Sequence, residues 1–206
     1  TYYFPMHLDY DVNEEFNNYF NGTGSLRDYI NKLSQQEGIY PYNYIKLRFL
    51  ENHDQDRAAK KIKDFNLLKA WTKFLYFQKG TVLLYNGQEA LEEKTPSLFD
   101  IDKINMKNEN PELVELFKKL YEMKKNEIFS TWNYDIKIID DTEVVLATYE
   151  KDNEKLYGIF ALGKGLEIAE VDIEDGVYKD IIEGKDIIIK NGKISLEKSG
   201  LIFYKK

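Results

Sequence analysis

The stretch Ile45, Lys46, Leu47, Arg48, Phe49, Leu50, Glu51, Asn52, His53, Asp54, Gln55, Asp56, Arg57 decides how the rest of the chain is read. Tyr44 to Leu50 is a short apolar and β-branched run with polar interruptions, the texture of a strand. It ends in a row of hydrogen-bonding or ionisable side chains, Glu51 to Asp54. Polar groups bunched where a strand stops point to chemistry, because in an α/β barrel the loops at the C-terminal strand ends converge on one pocket. Taken alone, Asn52, His53, Asp54 is a weak motif that also suits a solvated turn.

Upstream, Tyr2 to Leu8 reads as the tail of a loop and a short strand ending near Asp9, broken by Pro5. Asp9 and Asp11 open a helical stretch in which Glu14 to Phe20 sets Phe16, Tyr19 and Phe20 on one face, and Gly22 and Gly24 stop it. The Asp9, Asp11, Asn13 alternation lacks the Gly and terminal Glu of a calcium loop at the required places, so it reads as a capped helix start. Ser25 with Asp28 forms a capping box ahead of Leu26, Tyr29, Ile30 and Leu33. Gly38 and Pro41 then mark a turn, giving strand, helix, strand in the order of a parallel α/β unit.

Downstream, Asp64 is the expected N-cap of a largely buried helix carrying Phe65, Leu67, Leu68, Trp71, Phe74, Leu75 and Phe77, ended by Gly80. Thr81 to Tyr85 is a continuous apolar run of the kind found in strands covered on both faces. Glu89 to Lys107 reads as a long loop over a site, and Asn110 with Pro111 starts a further helix with Leu113, Leu116, Phe117 and Leu120 on its apolar face. From about Trp132 the texture becomes all-β. Apolar runs at Ile136–Ile139, Val144–Tyr149, Leu156–Leu162, Ile168–Ile173, Ile187–Ile189 and Leu201–Tyr204 alternate with turn pairs at Asp152, Asp175, Glu183 and Asn191. Asn191 with Gly192 predicts a type I′ hairpin joining Ile187–Lys190 to Lys193–Leu196.

Composition bounds the function. A chain of 206 residues, 43% hydrophobic, supports a real core. A net charge of -7 lacks the positive footprint that nucleic acid or an anionic membrane surface requires, and no apolar run is long enough to span a bilayer. With no Cys there is no disulfide and no thiolate metal site, and the redox compartment stays undetermined, a cytoplasmic location being only slightly favoured. His7 and His53 are the only histidines, so a His-rich metal centre is excluded and no metal ligand is assigned.

Phe49, Asn52, His53, Asp54 and Arg57 together resemble the motif at the end of the seventh barrel strand of the α-amylase family, glycoside hydrolase family 13. Gly80 to Glu89, with Gly80, Tyr85, Gly87 and Glu89, resembles that family's eighth-strand segment, in the family's order; Val82 stands where the family pattern has Pro. The β module from Trp132 on is similar to the family's domain C. The resemblance implies an α/β fold, residues 1–130 forming the last three strand and helix units of a (β/α)8 TIM barrel and residues 131–206 an antiparallel β-sandwich. A complete barrel takes roughly 250 residues, so the chain is expected to be the C-terminal portion of a longer enzyme, in keeping with the mid-protein character of Thr1 to Pro5.

The resemblance implies a retaining hydrolase of α-linked glucans or oligosaccharides, with Asp54 as the carboxylate that stabilises the transition state and His53 and Arg57 as substrate-binding residues. For Arg57 a structural ion pair is weighed equally, and Glu89 is read as structural. Retention of configuration needs a nucleophile and a general acid as well; the family carries these after its fourth and fifth strands, and nothing here matches them. The chain is therefore expected to be inactive alone and to contain no cofactor, with a structural calcium left to the upstream part. Its expected partners, besides glucan, are the missing barrel portion or further copies meeting at open sheet edges. Two other readings stand beside this one: a non-catalytic amylase-like scaffold, and a glucan-binding β module with a helical attachment.

Overall fold

The computed structural model describes residues 7–101, 103–139, 142–163 and 165–205; the loop expected over Tyr2 to Pro5 lies outside them. The N-terminal part is a parallel sheet wrapped by helices. Its strands are β1 (His7–Leu8), β2 (Lys46–Arg48) and β3 (Thr81–Val82), lying side by side in chain order. His7 pairs with Lys46, and Leu47 with Thr81.

Between β1 and β2 run α1 (Tyr10–Asn21) and α2 (Leu26–Ile39). Gly22, in the left-handed region at φ 74°, closes α1, and the Ser25–Asp28 capping box starts α2 as the sequence predicts. Asp9 departs from expectation. It stands at the start of α1 but makes no side-chain capping bond; its carboxylate pairs with buried Arg48 instead. Helix α2 also runs through Gly38, which was expected to break it.

Between β2 and β3 come the short α3 (Ala58–Lys61) and α4 (Phe65–Phe77), capped by the Asp64 carboxylate accepting from the Leu67 amide at 3.0 Å. The strand after α4 differs from its sequence reading. Only Thr81 and Val82 pair, Thr81 is exposed, and Leu84 is 43% exposed, because among the described residues no strand lies on the outer side of β3. Gly80 lets β3 approach β2: at φ 107° a Cβ there would lie 2.4 Å from the Lys46 carbonyl oxygen. A loop containing a 3-10 turn at Gln88–Ala90 leads to α5 (Pro111–Lys124), capped by Asn110.

The C-terminal part is antiparallel. Strands β4 (Tyr134–Ile138), β5 (Val144–Lys151), β6 (Glu154–Ala161), β7 (Leu166–Glu170), β8 (Gly176–Lys179), β9 (Asp186–Ile189), β10 (Lys193–Glu197) and β11 (Gly200–Lys205) form one four-stranded sheet, ordered β11-β6-β5-β4, and two pairs, β10-β7 and β8-β9. Asn191 and Gly192 take the positive φ values of a type I′ turn, but the hairpin expected from them ends after one bridge, Lys190 to Lys193. Beyond it β9 turns to β8 and β10 to β7. The Asp175 carboxylate accepts from both turn amides, at 2.6 and 2.8 Å, and ties the turn to the start of β8. Strand β8 itself was not foreseen.

The central sheet is buried on both faces. Alternate residues Val144, Leu146, Tyr157, Ile159 and Ala161 pack with Ile187, Ile189, Ile194 and Leu196, while Val145, Ala147, Tyr149, Leu156 and Phe160 face the barrel part. There α4 supplies the partner surface. Phe74 and Phe77 meet Phe160 at centroid distances of 5.3 and 5.4 Å, and fully buried Trp71 donates from Nε1 to the Leu162 carbonyl at 3.2 Å. One hydrophobic core thus runs from α1 and α2 through α4 and α5 into the β module.

Candidate active site

The chain leaving β2 carries the residues singled out from the sequence. Phe49, Leu50, Glu51 and Asn52 are buried, and His53 and Asp54 are then the first to reach solvent, their side chains 54% and 42% exposed. Parallel strands present their C-terminal ends to a shared rim, and His53 and Asp54 stand on that rim.

Four side chains form a closed set of polar contacts. The fully buried Asn52 accepts the Asp54 amide on Oδ1 at 2.9 Å, which turns the backbone so that the Asp54 side chain projects outward. From Nδ2 the same residue donates to the Tyr10 hydroxyl at 3.0 Å. Tyr10, the first residue of α1, donates to Asp54 Oδ2 at 2.8 Å, and its ring meets Phe49 edge to face at 5.4 Å. Nε2 of His53 lies 3.3 Å from the same Asp54 oxygen. Among the described residues nothing bonds Asp54 Oδ1, so one carboxylate oxygen is held and the other is presented outward. Desolvation and the bond to Asp54 raise the Tyr10 phenol above its usual range, which keeps it a proton donor.

Arg57 does not join this group. The motif placed it beside the sugar, but it is buried, with its guanidinium bonded to the equally buried Glu51 at 2.8 Å, to the Asn86 carbonyl at 2.8 Å and to the Lys94 carbonyl at 3.3 Å. It lies 4.6 Å from the centre of the Tyr85 ring. The other Glu51 oxygen accepts the Ala58 amide at 2.6 Å. Desolvation raises the Glu51 carboxyl against the lowering pull of Arg57. Of the two roles weighed for Arg57, the geometry displays the ion pair, and through it the strand-seven motif grips the strand-eight segment. Glu89 accepts the Gly87 amide at 3.0 Å within that segment's own turn.

A second polar cluster escaped the sequence reading. Lys46 and Arg48, on one face of β2, meet Asp11 and Asp9. Gln36 joins the two pairs, donating to Asp9 at 2.9 Å and Asp11 at 2.8 Å and accepting from Arg48 at 2.7 Å. Burial works to raise Asp11, but the bonds from Lys46 and Gln36 and the Lys46 charge outweigh it and hold the carboxyl at about 2. For Asp9 the burial wins and the carboxyl moves up. Such buried pairs ordinarily betray themselves only through folding, since their members are far apart in the chain. Among the described residues no group of three or more His, Asp or Glu side chains is placed to hold a metal ion.

A parallel strand and helix segment with an exposed carboxylate beyond its strand ends, joined through a buried helix to an antiparallel module, has the architecture of the C-terminal part of a barrel enzyme followed by a β domain. Residues 135–203 match the family model described as the bacterial alpha amylase C-terminal domain. Alpha-amylase 2 of Dictyoglomus thermophilum is 21% identical over 181 residues, 78% of this chain and 30% of that protein. The crystal structure of an α-amylase from Lactobacillus plantarum is 27% identical, with a TM-score of 0.90 over 98% of this chain and 48% of its own. The maltogenic α-amylase AmyB of Thermotoga neapolitana is 28% identical, with a TM-score of 0.85 over 98% and 50%. The chain belongs to the α-amylase family, glycoside hydrolase family 13, and corresponds to the C-terminal part of a bacterial α-amylase. It spans about half the length of these solved relatives and less than a third of the curated one.

Proposed function

We propose that this chain supplies the strand-seven portion of the active site of a retaining α-glucan hydrolase, and that Asp54 is its transition-state-stabilising carboxylate. The observation that carries the reading is Asp54 itself: exposed at a strand end, with one oxygen tied by Tyr10 and the other unbonded among the described residues. An anion fixed beside developing positive charge stabilises an oxocarbenium-like transition state more than the ground state. Asp54 neither attacks nor donates a proton in this scheme. His53, exposed beside it, donates a hydrogen bond to the same sugar. The similar amylase AmyP has been seen with maltose and with maltotriose, which supports an α-linked glucose oligomer as the ligand.

The nucleophile and general acid belong to a part of the barrel outside this sequence, so the chain alone does not hydrolyse glucan. The test is a maltooligosaccharide assay on this chain and on a longer polypeptide that also carries the upstream barrel. Only the longer one should be active, and Asp54→Asn in it should lower kcat by about a hundredfold or more with the melting temperature unchanged. Hydrolysis by the short chain, or an unaltered kcat in the variant, would overturn the proposal.

A further inference from the structure

We infer that Tyr10 is a positioning residue for Asp54: it fixes which carboxylate oxygen meets the sugar. The inference rests on the reading of Asp54 just given and deepens it.

A phenol has one proton to give. The Tyr10 oxygen accepts the Asn52 Nδ2 hydrogen at 3.0 Å, so its own proton is turned away from Asn52 and toward Asp54 Oδ2, 2.8 Å off. Asn52 is the fixed point of the arrangement. It is buried without exposure, and its other end accepts the Asp54 amide at 2.9 Å. One amide side chain therefore sets both the backbone of Asp54 and the direction of the bond that orients its carboxylate.

The Tyr10 ring is held in turn. It begins α1, whose first turn is anchored through Asp11 to Lys46 on β2, and its edge rests on Phe49 at 5.4 Å. A carboxylate on two single bonds otherwise rotates among several orientations. With Oδ2 pinned, Oδ1 is left as the acceptor for a sugar hydroxyl, and the charge need not reorganise as the transition state forms. The raised phenol keeps its proton through the neutral range, so the link persists under any ordinary assay condition.

The experiment is a double-mutant cycle in the longer, active polypeptide with maltooligosaccharide as substrate, using Tyr10→Phe, Asp54→Asn and the pair. Tyr10→Phe keeps the ring on Phe49 and removes only the hydroxyl. It should lower kcat about tenfold with KM changed less than twofold, and in the Asp54→Asn background it should change kcat less than twofold, because a positioning residue has nothing left to position. A purely structural role would instead lower the melting temperature and act equally in both backgrounds. If Asp54→Asn reduces kcat but Tyr10→Phe does not, or if the two losses multiply, the role of Tyr10 is overturned while that of Asp54 stands. If Asp54→Asn itself leaves kcat unaltered, the reading of Asp54 falls, and this inference with it.

Discussion

Arg57 and Glu51 form an ion pair at 2.8 Å with almost no contact with solvent, and the pair fastens the loop after β2 to the segment after β3. Its worth lies in what happens when it is broken. Removing one member leaves the other charge buried and alone, which typically costs about 3–5 kcal/mol. Arg57→Ala and Glu51→Ala should each lower stability by that order in urea titration of this chain, whereas the double change should cost less than the sum. Additive losses would count against a coupled pair.

His53 gives the opposite expectation. Its side chain is more than half exposed, so His53→Ala should leave the urea midpoint unchanged. In the longer polypeptide the same change should reduce kcat/KM for maltooligosaccharide about tenfold, the scale of one lost hydrogen bond. A drop in stability with full activity would assign His53 to the fold instead.

Acid should weaken the barrel part through Asp11. Its folded carboxyl is held at about 2 against an ordinary 3.8, so its contribution is present above about pH 4 and is lost as pH falls toward 2. Allowing for partial exposure, that contribution is at most about 2 kcal/mol. Urea midpoints measured across this window should fall less steeply in Asp11→Asn than in the parent chain. Identical slopes would show that other carboxylates govern acid unfolding.

Phe160 reaches from β6 to Phe74 and Phe77 of α4, so truncating it opens a hole in a core that both parts share. Phe160→Ala should cost about 3–5 kcal/mol. Secondary structure followed by circular dichroism and the tryptophan fluorescence dominated by the burial of Trp71 should still be lost at one midpoint. Two separated transitions would mean that the parts unfold independently.

The outer side of β3 has no strand beside it among the described residues. Such an edge pairs readily with other chains. Light scattering on this chain should therefore report a mass above that of one copy, falling to equimolar complex when the upstream barrel part is supplied in trans. A stable monomer at high concentration would contradict this.

How much of this was legible in the sequence follows from the range of each interaction. Ser25, Asp64 and Asn110 were read correctly as caps because a cap bonds an amide two or three residues away. His53 and Asp54 could be singled out because a motif is local, and so could Gly80, where the close approach of β3 to β2 follows from one residue. Asp9 was misread as a cap because its true partner, Arg48, is brought to it only by the pairing of β1 with β2. Tyr10 was passed over for the same reason: at the head of α1 it is one more aromatic, and only the folded chain sets its hydroxyl between Asn52 and Asp54. The Asn191–Gly192 turn was right while its strand partners were wrong, since turn geometry is fixed by two residues and pairing by the whole module.

The sheet of β4, β5, β6 and β11 packs apolar side chains on both of its faces, and this bears on how such proteins diverge. A module attached by a flexible tether is free to be traded among relatives as a cassette. Here the lining of that sheet and the lining of α4 are one mould and its cast. A graft that brought Tyr149 and Phe160 without Phe74 and Phe77 would arrive with the wrong counterface. The part that carries Asp54 and the antiparallel module are therefore constrained to change together, bound by the aromatic residues between them.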